Sequence, residues 1–415
     1  MISRPRAILA LLTGLNLLNY LDRLVVSAVL PKIEVSLGLS KLVEGTLATV
    51  FLVGYFLTSP IFGTLADRGK RKGLVAIGVA VWSAATIASG LATGMWSLLA
   101  ARAVVGVGEA SYATIAPTII DDIAPPEKKG RWLAVFFAMT PVGGALGYFT
   151  GGIVEHAYGW RAAFFVAGGP GMILAVLCLL IAEPERRVVK ARESALQAAR
   201  ALVPFALYRR GVLGYCAYTF VVGGFSYWAP TFLYEHHHME LGRANFLFGA
   251  VTVAGGAIGT AIGGSLGDRA ARVDRGEASS DLNAARGYLV VCAAGAAIAA
   301  PLALAAFLAP TSTGFFAWAF FCEVALFLST SPINAVILRA VPVERRASAM
   351  ALAILGIHLL GDLWSPPLIG TIADLGRRAG AANAMQIAMF PLPAGLAVAA
   401  LLWWARSTAR APAAA

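Results

Sequence analysis

The sequence GTLADR, at residues 63–68, closes the second long apolar run of the chain. A close variant, GSLGDR at residues 264–269, closes the eighth run. The two copies stand six runs apart, so the chain divides into two related halves of six apolar runs each. Related halves of this kind are typical of secondary transporters, in which the substrate site lies at the interface of the repeats. The repeat therefore indicates a two-fold helical architecture rather than a single soluble core.

The composition places these runs in a membrane. Of the 415 residues, 59% are apolar and 13% are charged, and the mean hydropathy is +0.74. A soluble domain carries about 25% charged residues, and an apolar excess of this size cannot be hidden in one core. Twelve runs reach the roughly 20 apolar residues that a span needs. The predicted fold is therefore an all-α membrane protein with twelve transmembrane helices in two pseudo-symmetric six-helix bundles.

The net charge of +11 follows the membrane topology. If the N-terminus is cytoplasmic, most of the 33 Lys and Arg residues fall on cytoplasmic segments, as the positive-inside rule requires. The basic character therefore does not indicate nucleic acid as a partner. Short loops and heavy use of alanine and glycine favour a bacterial inner membrane, with both termini in the cytoplasm.

The longest polar stretch divides the chain six and six. We assign residues 1–182 to an N-terminal six-helix bundle, 183–210 to a basic cytoplasmic linker, and 211–415 to a C-terminal six-helix bundle. Within the linker, small and apolar residues recur at near-helical spacing among seven Arg and Lys residues. This pattern predicts an amphipathic helix on the anionic cytoplasmic leaflet. A solvated linker is the alternative.

Three motifs carry a resemblance to known proteins. GTLADRGKRK, at residues 63–72, resembles the signature loop between spans two and three of the major facilitator superfamily. Within that superfamily, NYLDR at residues 19–23 and RAVVGVGEASYATIAP at residues 102–117 resemble the spinster family of lysolipid and sphingolipid-phosphate transporters. The superfamily resemblance covers essentially the whole chain and implies the same twelve-helix fold. Membership of the spinster family would not by itself fix the substrate.

The resemblance also implies roles for particular residues. In the spinster family, acidic and basic residues of spans one and four are implicated in proton coupling and substrate handling. The matching residues here are Asp22, Arg23, Arg102 and Glu109. The same two motifs add substrate-binding candidates, which are Asn19, Tyr20, Ser111 and Tyr112.

Charged residues inside apolar runs are candidates on physical grounds as well. An ionisable residue at the centre of a span costs about 2.5–3.5 kcal/mol on insertion scales, so it normally faces a cavity or a partner. A carboxylate that a substrate separates from its arginine can exchange a proton near neutral pH. We therefore expect Asp22 and Glu109 to exchange protons while Arg23 and Arg102 hold an anionic head group. Static ion pairs, Asp22 with Arg102 or Arg23 with Glu109, are the alternative.

The second half carries its own ionisable residues within spans. His358 and Asp362 share one face of span eleven, and Glu323 lies in span ten. Histidine titrates near pH 6.5, so His358 and Asp362 are further proton-coupling candidates, whereas Glu323 is a substrate-binding candidate. A purely structural role for His358 is equally open. The spacing His358-x-x-x-Asp362 also occurs in some acyltransferases, so a membrane lipid acyltransferase is the alternative outside transport.

Aromatic residues and helix-end charges complete the candidate site. Apolar walls for a lipid tail could come from aromatic side chains in the spans, although such side chains more often serve packing. The candidates are Phe51, Tyr55, Phe225, Tyr227, Trp228 and Trp364, together with Met139. An acid that caps a cytoplasmic helix end can latch two halves together and release them. The gating candidates are Asp67, Arg68, Arg71, Asp268 and Arg269.

These features predict a secondary active transporter. We expect it to move an amphipathic lipid-like substrate, of lysophospholipid or sphingosine-phosphate type, by alternating access and with proton coupling. A small organic anion or drug exporter of the same fold is the alternative within transport. The expected partners are the substrate, protons and the lipid bilayer, and the expected oligomeric state is a monomer. We expect no cofactor and no metal, and the lack of a Walker loop argues against transport driven by nucleotide hydrolysis. We expect no enzymatic activity, because the His358-x-x-x-Asp362 match has little specificity and the internal repeat has no enzymatic explanation.

Overall fold

The structure is a computed structural model that describes residues 2–68, 71–183, 195–273 and 281–404. In chain order the first helices are α1 (Pro5–Leu37), α2 (Lys41–Arg68), α3 (Arg71–Gly90), α4 (Met95–Ile123), α5 (Lys129–Tyr158), α6 (Trp160–Leu179) and α7 (Ala195–Leu202). Those that follow are α8 (Ala206–Glu235), α9 (Leu241–Val273), α10 (Asp281–Leu308), α11 (Ser312–Phe327), α12 (Thr330–Arg339), α13 (Arg346–Ile357), α14 (Ser365–Arg378), α15 (Ala384–Met389) and α16 (Pro391–Trp404). A π-helical turn, His358–Asp362, joins α13 to α14.

Eleven helical segments in the described ranges are long and apolar enough to cross a bilayer. Three of them are composite, since α11 continues into α12, α13 into α14, and α15 into α16. The remaining long helix, α8, has 30 residues, and its five tyrosines and two arginines lower its hydropathy. With α8 the structure has the twelve spans that the sequence predicts, and the all-α fold class is confirmed.

The limits of α1 and α2 follow from their terminal residues. Pro5 stands in the first turn of α1, where its missing N–H has no intrahelical partner to lose. Gly38 ends α1 in the left-handed conformation, with φ of 63°, which favours glycine. The backbone N–H groups of Lys41 and Leu42, which open α2, donate to the Asp374 carboxylate at 3.0 and 2.9 Å. We call this region, opposite to the N-terminus of α1, the α1–α2 end.

Glycines allow very close approach between the helices that carry the site. A Cβ atom on Gly106 of α4 would lie 2.0 Å from the Phe51 carbonyl oxygen of α2. A Cβ atom on Gly143 of α5 would lie 2.4 Å from the Leu17 carbonyl oxygen of α1. Because neither position accepts a side chain, α4 and α5 pack directly on the backbones of α2 and α1.

The chain forms two compact units. The first comprises Met1–Lys190, Ser226–Val253 and Pro366–Ala388, and the second comprises Ala191–Phe225, Ala254–Ser365 and Met389–Ala415. Parts of α8, α9 and α14 thus belong with α1–α6. The predicted boundaries of the two six-helix bundles remain a prediction.

The predicted linker is partly described. Residues 184–194 lie outside the described residues, and α7 occupies the part that follows. This short helix packs on α13 of the second unit, and its Ala198 and Leu202 side chains are buried. A short helix is therefore present in the described part of the linker, while the predicted amphipathic helix at a lipid leaflet stays a prediction.

Candidate functional site

Four charged side chains of α1 and α4 form two ion pairs in the first unit. Arg23 Nε donates to Glu109 Oε2 at 2.8 Å, and Arg102 Nη1 lies 3.5 Å from Asp22 Oδ1. Asp22, Arg102 and Glu109 are at most 2% exposed, whereas 19% of the Arg23 side chain is accessible. We call these four residues the four-charge cluster, which is neutral because it has two cations and two carboxylates. Breaking one pair would leave a buried charge without a partner. The structure thus brings together the four charged residues predicted for spans one and four.

Aromatic rings surround the accessible arginine of the four-charge cluster. The Arg23 guanidinium carbon lies 4.9 Å from the Tyr20 ring centroid, 5.0 Å from that of Phe51 and 5.4 Å from that of Tyr55. The Arg102 guanidinium carbon lies 5.5 Å from the Phe51 ring as well. Each distance is within the range of a cation–π contact. The rings therefore orient Arg23 and give its surroundings an apolar wall.

The four-charge cluster keeps unused hydrogen-bonding capacity. Thr86 of α3 donates its hydroxyl to Asp22 Oδ2 at 2.6 Å. Among the described residues, however, Asp22 Oδ1, Glu109 Oε1 and the Arg102 Nε and Nη1 atoms have no hydrogen-bond partner. Buried polar groups are normally satisfied, so these four atoms are exceptions within the four-charge cluster.

Sequence reasoning missed Thr86. The signal was present, because Ser83, Thr86 and Ser89 recur every three residues in an otherwise apolar run and all three are buried. Such spacing places the three hydroxyl groups along one side of α3. The spacing of the buried hydroxyl groups could therefore have identified Thr86 as a candidate.

The other candidates on α1 and α4 occupy two different environments. Asn19 is buried one turn before Arg23. Ser111 donates to the Leu74 carbonyl oxygen of α3 at 2.8 Å, and the Tyr112 hydroxyl donates to the Leu12 carbonyl oxygen of α1. The polar atoms of Ser111 and Tyr112 are therefore engaged in helix packing. A substrate-binding role for these two residues remains a prediction.

A second charged cluster lies at the α1–α2 end of the first unit, and sequence reasoning missed it. Lys41 Nζ contacts Glu34 at 2.7 Å, Glu44 at 3.0 Å and Glu235 at 2.7 Å. Arg377 contacts Glu34 at 2.6 Å and Glu235 at 2.8 Å. We call these five residues the Lys41 cluster. The sequence signal is weak because all five stand near the ends of apolar runs, where charge is ordinary.

Two aromatic candidates lie beside the Lys41 cluster. The Tyr227 hydroxyl donates to the Glu44 carbonyl oxygen at 2.6 Å, and Trp228 Nε1 donates to the Pro366 carbonyl oxygen at 3.0 Å. Both side chains are almost fully buried. Their polar atoms therefore hold α8 against α2 and the start of α14, and their contact with substrate remains a prediction.

The candidates of spans ten and eleven lie in the second unit. His358 Nδ1 is 2.9 Å from Asp362 Oδ2 across the π-helical turn, and both side chains are partly exposed. Trp364 is 56% exposed and donates its indole N–H to the Leu359 carbonyl oxygen. Glu323 of α11 is 3% exposed. Since π-helical turns often occur at functional sites, the His358–Asp362 pair stays a proton-coupling candidate.

The gating candidates are placed in part. Arg71 Nη1 contacts Asp122 Oδ2 at 2.6 Å, which ties the start of α3 to the end of α4. Asp268 of α9 accepts a hydrogen bond from the Tyr288 hydroxyl at 2.7 Å, and Arg269 is exposed. The side chains of Asp67 and Arg68 lie outside the described residues. The gating role of all five residues remains a prediction.

Three successive histidines, residues 236–238, follow α8. The His236 ring stacks on Phe232 with 5.0 Å between centroids. Burial lowers the pKa of His236, and the neighbouring His238 lowers it further. Among the described residues, no group of three His, Cys, Asp or Glu side chains is arranged to hold a metal ion.

Comparison with known proteins extends this evidence. The model of the Major Facilitator Superfamily matches residues 12–366. The chain is 34% identical to Protein spinster of Drosophila melanogaster over 374 residues, which is 86% of this chain and 60% of the fly protein. It is 34% identical to Protein spinster homolog 1 of Homo sapiens over 403 residues, which is 90% of this chain and 74% of the human protein. The chain thus spans less than two thirds of the fly protein but about three quarters of the human one.

A plant relative and two solved structures complete the comparison. The chain is 31% identical to the Probable sphingolipid transporter spinster homolog 2 of Arabidopsis thaliana over 406 residues, covering 89% of this chain and 81% of that protein. The fold resembles that of a bacterial homolog of the human lysosomal transporter Spinster, inward-facing and unoccupied, with a TM-score of 0.84, 23% identity, and coverage of 97% and 96%. A D-xylose-proton symporter gives a TM-score of 0.75 at 16% identity, covering 96% of each chain. The chain belongs to the spinster family of the major facilitator superfamily.

Proposed function

We propose that this transporter moves an amphipathic lipid-like substrate, of lysophospholipid or sphingosine-phosphate type, by alternating access and with proton coupling. The observation that carries the proposal is the four-charge cluster, in which one arginine is accessible and ringed by aromatic side chains. A guanidinium recognises a phosphate group through paired hydrogen bonds. The rings beside it suit the apolar portion of the same molecule.

Proton coupling follows from the pairing of Arg23 with Glu109. A phosphate group that binds Arg23 competes with the Glu109 carboxylate for the same guanidinium. Glu109 is fully buried, so once displaced it would be an uncompensated buried charge, which is costly unless it takes up a proton. Asp22 would likewise take up a proton if it lost its contact with Arg102, and that contact is already long at 3.5 Å. Substrate binding and proton uptake are thereby linked.

The relatives support the substrate class. The name of the Arabidopsis relative describes it as a probable sphingolipid transporter, and a sphingolipid has the amphipathic character that Arg23 and its ring of aromatic residues would accept. Transport is favoured over acyl transfer by the family to which the chain belongs. We further propose a monomer in a bacterial inner membrane, with both termini in the cytoplasm and the α1–α2 end facing outward.

The test is the flux of a labelled lysophospholipid into proteoliposomes, with and without an imposed pH gradient. Asp22→Asn should abolish the dependence of flux on the gradient. Asp121→Asn makes the same chemical change at an exposed ion pair with Lys129 and should behave like the wild type.

Flux that still responds to the gradient in Asp22→Asn would contradict the assigned proton site. No flux of wild-type, folded protein under any gradient would contradict the lipid substrate and favour the small-anion exporter. A thermal-shift panel separates these substrate classes, because lysophospholipid should raise the melting temperature whereas soluble organic anions should not.

A further inference from the structure

The Lys41 cluster contains more carboxylates than cations. Glu34, Glu44 and Glu235 face Lys41 and Arg377, so the cluster carries one surplus negative charge when every group is ionised. Lys41 and Glu44 are fully buried. A net charge inside a buried cluster is costly, since charge in a low-dielectric setting must be paired or neutralised.

The surplus negative charge is least compensated at Glu44. Glu34 and Glu235 each contact both cations, and their side chains are 18% and 19% exposed. Glu44 contacts Lys41 alone, through Oε2, at the longest of the three Lys41 distances. Its other oxygen, Oε1, is buried without a hydrogen-bond partner among the described residues. Glu44 is therefore the carboxylate with the least compensation.

Three other helices contribute polar groups around Glu44. From α1 comes Glu34, from the end of α8 come Glu235 and the Tyr227 hydroxyl, and α14 supplies Arg377. Asp374 of α14 also lies close, accepting from the first backbone N–H groups of α2, and it adds negative rather than positive charge.

The backbones of α2 and α14 pack closely beside Glu44. A Cβ atom on Gly45 would lie 2.3 Å from the Pro366 carbonyl oxygen, and one on Gly370 would lie 2.1 Å from the Lys41 carbonyl oxygen. Backbones of α2 and α14 are thus in direct contact on both sides of Glu44. The Trp228 ring lies 5.7 Å from Lys41 Nζ and closes the cluster from α8. Among the described residues Lys41 is the one cation in contact with Glu44, so a proton can neutralise this carboxylate where no second cation does.

We propose that Glu44 is a second proton-binding site, loaded when the α1–α2 end is closed and emptied when α8 and α14 move away from α2. The inference rests on the proposed alternating access, because it requires the α1–α2 end to open. When the α1–α2 end opens, water reaches Glu44, which then ionises as an ordinary carboxylate does near neutral pH. The closed state therefore binds one more proton than the open state.

The sign of the pH effect follows from this difference. A state that binds more protons is favoured by acid, so low pH should close the α1–α2 end and high pH should open it. Linkage limits the effect of one proton to about tenfold in the closed-to-open ratio per pH unit. This site is distinct from Asp22 and Glu109, which contact other arginines.

The experiment measures the opening directly, without substrate. Spin labels at Leu91→Cys and Ala379→Cys, both exposed at the α1–α2 end, report the distance across it in lipid nanodiscs. The four natural cysteines are buried and would not be labelled. The closed population of the wild type should fall as pH rises from 5.5 to 8.5, whereas Glu44→Gln should stay closed throughout.

Controls make the assignment specific to Glu44. Glu155→Gln alters another ion pair at the same end, with Lys32, and should keep the wild-type pH response. Glu44→Asp retains an acid and should also keep a pH response, which guards against a misfolded Gln variant. Three results would each overturn the proposal. The first is a closed population of the wild type that does not change with pH, the second is a closed population of Glu44→Gln that still changes with pH, and the third is a pH response lost in Glu34→Gln instead of in Glu44→Gln. Absence of lysophospholipid flux would leave this measurement unaffected, so the two proposals fail separately.

Discussion

Arg102 is the residue at which the stability of the four-charge cluster can be tested most directly. Its guanidinium is buried beside Asp22, and the only other described polar contact of the Asp22 carboxylate is the Thr86 hydroxyl. Arg102→Met should therefore strand a buried carboxylate and lower the free energy of unfolding by about 3–5 kcal/mol. Thermal unfolding in detergent measures the loss as a lowered melting temperature.

The double variant makes this prediction specific to charge. Adding Asp22→Asn to Arg102→Met removes both charges at once, so most of the lost stability should return, since replacing a buried pair is far less costly than breaking it. If the double variant is as unstable as the sum of the single ones, the Arg102 effect comes from lost packing against Phe51 rather than from the ion pair.

At the scale of elements, the contact of α4 with α2 positions the rings around Arg23. Gly106→Ala would place a methyl group against the Phe51 carbonyl oxygen at a distance no real contact allows. The helices must then separate, which should cost about 1–3 kcal/mol and move Phe51 away from both arginines. We expect a lowered melting temperature together with reduced lysophospholipid flux.

Gly14→Ala is the matched control for this prediction. Gly14 lies inside α1, and no atom lies within 4 Å of the position of its added Cβ atom. Alanine is favoured over glycine in a helix interior by about 1 kcal/mol, so this variant should be as stable as the wild type or more so. Equal melting temperatures for both variants would show that the α2–α4 contact is less tight than the structure indicates.

The elements also show what sequence could and could not predict. Run length predicts the twelve spans, because transfer to a bilayer depends chiefly on composition. The GTLADR motif indicates the superfamily, and the motifs at residues 19–23 and 102–117 indicate the family. The break between α11 and α12 and the π-helical turn at His358–Asp362 were not predicted. Apolar residues continue across both, and hydropathy carries no information on the hydrogen-bonding pattern of the backbone.

The two charged clusters differ in predictability for a related reason. Asp22, Arg23, Arg102 and Glu109 interrupt apolar runs, so their cost in a bilayer makes them conspicuous in the amino-acid sequence itself. Lys41 belongs to a cluster drawn from four helix ends in three separate parts of the sequence, with Glu34 and Arg377 separated by 343 positions. Only the folded chain brings those ends together and reveals the surplus charge.

At the scale of the whole molecule, the distribution of charge predicts the orientation of the chain in the membrane. Tyr158, at the end of α5, should face outward, and Val343, between α12 and α13, should face the cytoplasm. The two residues are 80% and 66% exposed, so a cysteine at either position is open to reagents. A membrane-impermeant maleimide should label Tyr158→Cys in intact spheroplasts and Val343→Cys only after permeabilisation.

The wild type supplies the background for this measurement, because Cys178, Cys216, Cys292 and Cys322 are at most 5% exposed and should not react in either condition. Orientation matters beyond topology, since it decides from which compartment Glu44 would take its proton. With the α1–α2 end outward, acid outside the cell would favour closure there, and the proton would be released outward again when that end reopens. The reversed labelling pattern would mean that the α1–α2 end faces the cytoplasm. It would also refute the assignment of the basic segments to the cytoplasm.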